Sequence, residues 1–217
     1  MLRKIIILLL CIVSNTTLAA PPTTAATVKV HVPPQALVEK VTADLLQVLR
    51  NDKDKIAKNP TYLTAKVEEL IFPAVDFFAM SKFILGQHWK KATAAQQQAF
   101  VIEFRQLLVR TYQHVLKEFD NEYIVFEPFI AGQQPTKLAI VRSQIKRANG
   151  PSIPLVYNLR YTIEDGWKVY DIGVEGMSLV TNYRASFNRE ISQKGIDKLI
   201  EQLKERNKAP AAPEKAR

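Results

Sequence analysis

The chain is almost without cysteine, sparing with glycine and poor in histidine, and each shortage closes a route. Its one cysteine, Cys11, lies in an apolar run near the N-terminus. The remainder therefore has no disulfide framework and no thiol to serve as nucleophile or metal ligand. The seven glycines build no phosphate-cradling loop, and no G-x-S-x-G elbow occurs. The three histidines, His31, His88 and His114, lack metal-ligand spacing. The apolar run Ile5 to Val13 is too short to span a bilayer.

That run has another use. Arg3 and Lys4 precede it, and the small residues Thr17 and Ala19 follow it, the pattern of a secretory signal cut after Ala19. A lipidated cysteine would stand beside small residues at the cut, whereas Cys11 follows Leu8-Leu9-Leu10. The expectation is a bacterial periplasmic protein that relies on its core instead of cross-links. Removing Arg3 and Lys4 with the signal takes the formal net charge from +9 to +7. Such a charge suits an anionic partner, a membrane surface or an acidic protein; export argues against nucleic acid. The plain alternative is a soluble surface that happens to be basic.

The expected organisation is a cleaved signal over 1–19, a flexible leader over 20–33, one domain over 34–207 and a disordered tail over 208–217. Pro34 suits a first helical position, with Leu37, Val38, Val41, Leu45, Val48 and Leu49 at helical spacing behind it. Leu63, Val67, Leu70 and Ile71 mark another helix, stopped by Pro73. Pro73 to Gly86 reads as a helix that is apolar nearly all round. Thr93 and Gln96 form a capping box that opens the longest helix, about Ala94 to Phe119.

Four strands are expected at Glu122–Ile130, Thr136–Arg147, Ser152–Ile163 and Trp167–Val174, joined by Ala131-Gly132, Asn149-Gly150 and Asp165-Gly166. Ser178 caps a helix carrying Leu179, Tyr183, Phe187 and Ile191. Gly195 breaks it before a last helix with Ile196, Leu199, Ile200 and Leu203. The predicted class is α+β: a four-stranded curved antiparallel sheet covered by several helices.

Catalytic candidates are few. Asp171 and Glu175 on one strand would have backbones roughly 13 Å apart, beyond the about 5 to 9.5 Å of glycosidase carboxylate pairs. A bend at Gly173 or Gly176 would shorten the gap. The plainer expectation is that Asp171 pairs with a base and Glu175 caps the next helix. A cavity enzyme using Asp171 or Glu175, and a chaperone for unfolded outer-membrane segments, stand as rival readings.

What the chain has in excess is apolar surface, on the Pro73 to Gly86 helix, the long helix and the third strand. Together these suggest a helix-lined cavity floored by the sheet. The expected wall residues are Phe78, Phe104, Leu108, Tyr112, Leu155, Tyr157, Leu159, Tyr161, Tyr170, Ile172, Val174, Met177 and Tyr183. Lys90, Lys91, Arg105, Arg110 and Arg184 are the expected rim cations, for a phosphate or for docking.

Two stretches, VYDIGVEGMSLVTNYRASF from Val169 and LGQHWKKATAAQQQAFVIEFRQLLVRTYQHVL from Leu85, closely resemble the MlaC, or toluene-tolerance, family. The resemblance runs from about Leu37 to Leu203. Met177, Gln87 and Lys90 depart from its usual residues. It implies an NTF2-like cone with an apolar cavity, and a monomeric, non-enzymatic carrier with no cofactor, its cargo being phospholipid. The implied partners are an outer-membrane lipoprotein complex and an inner-membrane ABC transporter complex with its lipid-binding periplasmic subunit. The implied role is to keep the outer leaflet of the outer membrane free of misplaced phospholipid.

Overall fold

The computed structural model describes residues 32–59, 61–119, 122–129, 137–148 and 150–208, all within the unit His31–Arg217. The expected signal, most of the leader, the tail beyond Lys208, the Ala131-Gly132 turn and Asn149 lie outside the described residues.

Helix α1 (Pro34–Asn51) starts on Pro34, whose missing N–H would have had no partner in the first turn anyway. Helices α2 (Lys53–Lys58) and α3 (Tyr62–Leu70) follow. The expected helix from Pro73 to Gly86 is not continuous. Phe72–Ala74 forms a 3-10 turn, Val75 is extended, and α4 spans only Phe77–Leu85. Two interactions cause the break. Val75 bridges Val169 in parallel, with the Asp76 amide donating to the Val169 carbonyl at 2.8 Å. The Asp76 carboxylate then caps α4, accepting from the Ala79 amide at 2.7 Å. Arg160 Nε lies 3.3 Å from the second Asp76 oxygen and ties the sheet to this cap.

Helix α5 (Gln87–Lys91) turns at Gly86, whose φ of 53° suits glycine. The expected capping box is formed: Thr93 Oγ1 accepts from the Gln96 amide, and Gln96 Oε1 from the Thr93 amide. It opens α6 (Ala94–Lys117), which stops two residues short of Phe119.

The sheet is an open antiparallel meander in chain order: β1 (Tyr123–Phe126), β2 (Leu138–Lys146), β3 (Ile153–Thr162), β4 (Gly166–Val174) and β5 (Met177–Ser178). The count is five, one more than expected, because Gly176 at φ 81° lets Met177 and Ser178 fold back onto Val174 and Gly173. A bulge interrupts β4. Asn158 faces Asp171 but Leu159 faces Val169, so Tyr170 is the extra residue. Past it, Val169 and Ile172 share one face of the sheet with Leu159 and Tyr157, instead of keeping strict alternation. Ser178 caps α7 (Leu179–Lys194), and Gly195 separates it from α8 (Ile196–Lys208).

Three apolar clusters follow from this layout. Phe100, Phe104 and Leu107 of α6 pack with Met80 and Ile84 of α4, Phe187 of α7 and Leu203 of α8. Val38 of α1 packs onto Ala139, Val141, Leu159 and Val169 of the sheet. Leu49, Leu63 and Val67 join α1 to α3, with Val109 and Leu116 of α6 against them. The wide apolar stripe of α6 is thus divided between two clusters.

Candidate functional site

Between α1 and the sheet lies a cavity of about 270 Å³. Helix α1 supplies one wall with Leu37, Val38, Val41, Thr42, Leu45, Leu46 and Leu49. The spacing of these residues is that of a single broad stripe. The sheet supplies the floor with Ile124, Ile145, Leu155, Tyr157, Val169 and Ile172. Ala74 and Val75, Val115 and Leu116 of α6, and Phe119 just beyond that helix complete the lining. A shallower depression of about 500 Å³, bordered by Lys53, Ile56, Ala57, Lys117 and Glu118, shares Leu49, Leu116 and Phe119 with the cavity. The apolar interior therefore abuts a surface basin with two lysines on its margin.

The expected wall residues divide. Leu155, Tyr157 and Ile172 border the cavity. Leu159 is fully buried beside it, against Val38 and Val169. Tyr161 lies against Trp167 with ring centroids 5.4 Å apart, and Val174 pairs with Leu155 and Met177. Phe104, Leu108 and Tyr183 belong to the helix cluster, and Tyr112 is half-buried on α6. Phe78 sits edge-on to Trp89 at 4.9 Å, and Tyr170, displaced by the bulge, meets Phe83 at 5.2 Å. Phe78 and Met177 are more than half exposed.

The expected rim cations do not border the cavity. Lys90 and Lys91 end α5 in solvent. Arg105 lies over the Phe72 ring at 4.7 Å, and Arg110 donates to the Asn207 carbonyl at 2.8 Å. The Arg184 guanidinium lies against Gly86, 3.1 Å from where a Cβ would stand. Helix α1 and the lysines Lys53 and Lys117 were not singled out from sequence. The available signal was the α1 stripe itself, apolar at six of its seven wall positions and interrupted by Thr42.

The carboxylates take other roles than expected. Asp171 accepts from Ser178 Oγ at 2.8 Å, Asn158 Nδ2 at 3.3 Å and the Val180 amide at 3.1 Å. It supports the start of α7 and meets hydroxyl and amide donors instead of a base. Glu175 is exposed in the tight turn at φ 52°, its amide donating to the Pro154 carbonyl at 3.0 Å. Among the described residues, no cluster of three or more His, Cys, Asp and Glu could hold a metal ion. Burial raises the Tyr157 phenol, partly offset by the hydroxyls of Ser143 and Thr42. Burial also raises Tyr170, with the Asp171 charge adding to it. No helix among the described residues is long and apolar enough to cross a membrane.

An open antiparallel sheet with a helix held off its face by an apolar cavity defines a binding domain for apolar ligands. The sequence model of the family described as MlaC protein matches residues 39–205, and the chain belongs to that family. It is 30% identical over 190 residues to toluene tolerance protein ttg2D of Pseudomonas putida, covering 84% of this chain and 87% of that one. It is 25% identical over 186 residues to the intermembrane phospholipid transport system binding protein MlaC of Haemophilus influenzae, covering 85% and 86%. Its fold matches the phospholipid-binding protein of Ralstonia solanacearum, solved in complex with a phospholipid, with a TM-score of 0.74 and 32% identity. That match covers 81% of this chain and 97% of that one.

Proposed function

We propose that this protein is a periplasmic phospholipid carrier. The observation that carries the reading is the apolar cavity between α1 and the sheet, in a chain that shares its family and fold with a protein solved with a phospholipid. The acyl chains occupy the space bounded by α1, Leu155, Tyr157 and Ile172, and the head group stays toward solvent. Each buried methylene is worth roughly 0.8 kcal/mol, so an acyl chain of about 16 carbons costs on the order of 13 kcal/mol to expose to water. Diacyl lipids therefore need an apolar container to cross an aqueous gap.

Residues 1–19 act as the export signal and are cut away, 20–33 form a leader, and 34–207 bind lipid as a monomer ahead of the 208–217 tail. The carrier exchanges cargo between an outer-membrane lipoprotein complex and an inner-membrane ABC transporter complex with its lipid-binding periplasmic subunit. This maintains outer-membrane lipid asymmetry without catalysis or cofactor. Exposed Lys90, Lys91 and Arg184 suit docking, since exposed surface charges speed encounter more than they deepen affinity. The test is mass spectrometry of an organic extract of the purified, exported protein. Stoichiometric phospholipid is the expected result; an empty or peptide-filled cavity overturns the reading.

A further inference from the structure

Thr42 and Tyr157 are the residues with polar side chains on an otherwise apolar cavity wall. Ser143 stands directly opposite Leu155 in the β2–β3 register, on the sheet face that carries Tyr157, and is thus a diagonal neighbour of the tyrosine. Its hydroxyl is buried at 1% exposure and has no hydrogen-bond partner. Both the Ser143 and Thr42 hydroxyls come near enough to the Tyr157 phenol to favour its ionised form, though burial outweighs them. For Ser143 this proximity falls outside hydrogen-bonding geometry, so its oxygen remains an unused polar atom inside hydrocarbon. A buried hydroxyl without a partner is costly unless an occupant supplies one.

We infer that Thr42, Ser143 and Tyr157 form a polar subsite that donates to an ester carbonyl of the cargo. The inference rests on the carrier reading above and adds where the glycerol end of the lipid is held. The placement along α1 fits. Thr42 lies roughly 10 Å along the helix from Leu49 at 1.5 Å per residue, and Leu49 borders the basin with Lys53 and Lys117. Ester carbonyls are a few bonds from the phosphate and are the first polar atoms above the acyl chains. A lipid with its tails against Val38 and Val169 and its phosphate near the lysines carries its esters past Thr42.

The test compares dipalmitoyl phosphatidylethanolamine with its dihexadecyl ether counterpart, which keeps chain length and head group but lacks both carbonyls. Binding to delipidated protein is measured by competition against a fluorescent phospholipid. The expected preference for the ester lipid is about fivefold, the scale of one net hydrogen bond. Ser143→Ala removes an oxygen that approaches the Tyr157 phenol without a hydrogen bond, so the variant folds and the preference shrinks. In Thr42→Val/Ser143→Ala/Tyr157→Phe it falls to about one. Equal affinity of the native protein for both lipids overturns the inference, as does a preference that survives in the variant lacking all three hydroxyls. Palmitate displacing the ester lipid at equal concentration would assign the hydroxyls to a free carboxyl and also overturn it. Failure of both phospholipids to bind overturns the carrier reading, and the inference with it.

Discussion

Ser178 Oγ donates to Asp171 Oδ2 at 2.8 Å while accepting from the Thr181 amide at 3.0 Å, so one serine links a β4 carboxylate to the first turn of α7. Asp171 is only 8% exposed and completes the junction through the Val180 amide. Asp171→Asn keeps one acceptor oxygen and replaces the other with a donor that faces Ser178 and Asn158. The expected loss is about 2 kcal/mol of unfolding free energy, the scale for a buried hydrogen-bonded charge losing an acceptor. The folded fraction keeps its lipid. Denaturant unfolding with lipid extraction measures both, and a stable, loaded variant that cannot transfer lipid would restore a chemical role to Asp171.

Leu159 and Leu155 separate packing from containment. Leu159 is fully buried among Val38 and Val169, whereas Leu155 borders the cavity. Leu159→Ala is expected to cost about 3 kcal/mol, as for a leucine removed from a filled core. Leu155→Ala already borders empty space, loses fewer contacts and costs about 1 kcal/mol. Its main effect is lower lipid retention. Equal stability losses in the two variants would contradict this placement of the wall.

Alkaline pH probes Tyr157. Its folded-state pKa is raised above the ordinary value of 10.0, chiefly by burial. The unfolded chain then releases this proton first. The stability contribution is fully present below the unfolded pKa and is lost as pH rises through the folded one. Urea midpoints are expected to hold up to about pH 10 and decline above it. Tyr157→Phe flattens that decline, and a slope unchanged in the variant would show that the phenol is not the titrating group.

Salt separates docking from holding. Raising ionic strength from about 0.05 to 0.5 M brings the screening length below about 5 Å. Transfer between partner complexes slows several-fold, while lipid occupancy stays level because acyl burial is not a charge effect. Lys90→Glu/Lys91→Glu slows transfer at low salt and reduces its salt dependence. A salt-independent native rate would make the basic surface incidental.

Much of the fold was legible because its signals are local: Pro34, the Thr93/Gln96 box, the glycine turns and the Ser178 cap each act within a few residues. The errors arose where a distant partner decides. Val75 leaves the helical path because Val169 offers it a sheet edge, and the bulge at Tyr170 shows only when β3 and β4 are in register. The site was less legible for a related reason. An apolar stripe that fills a core and one that borders a void have the same spacing. Phe104 and Leu108 meet the other helices, whereas Val41 borders the cavity. Only the summed packing of the chain distinguishes them.

The position of α1 governs the order in which the molecule can assemble. The meander forms from neighbouring hairpins, and α7 and α8 are adjacent in sequence. Val38, by contrast, packs against Val169, more than a hundred residues downstream. Contacts of such long loop closure form late and slowly. Although α1 precedes every other described helix in the chain, its inner wall cannot shut until β4 has emerged. Until then the sheet face carrying Leu155 and Tyr157 is open to water. The folding chain is therefore expected to expose a hydrophobic trough for a time, when a chaperone or lipid itself can engage it before the native container exists.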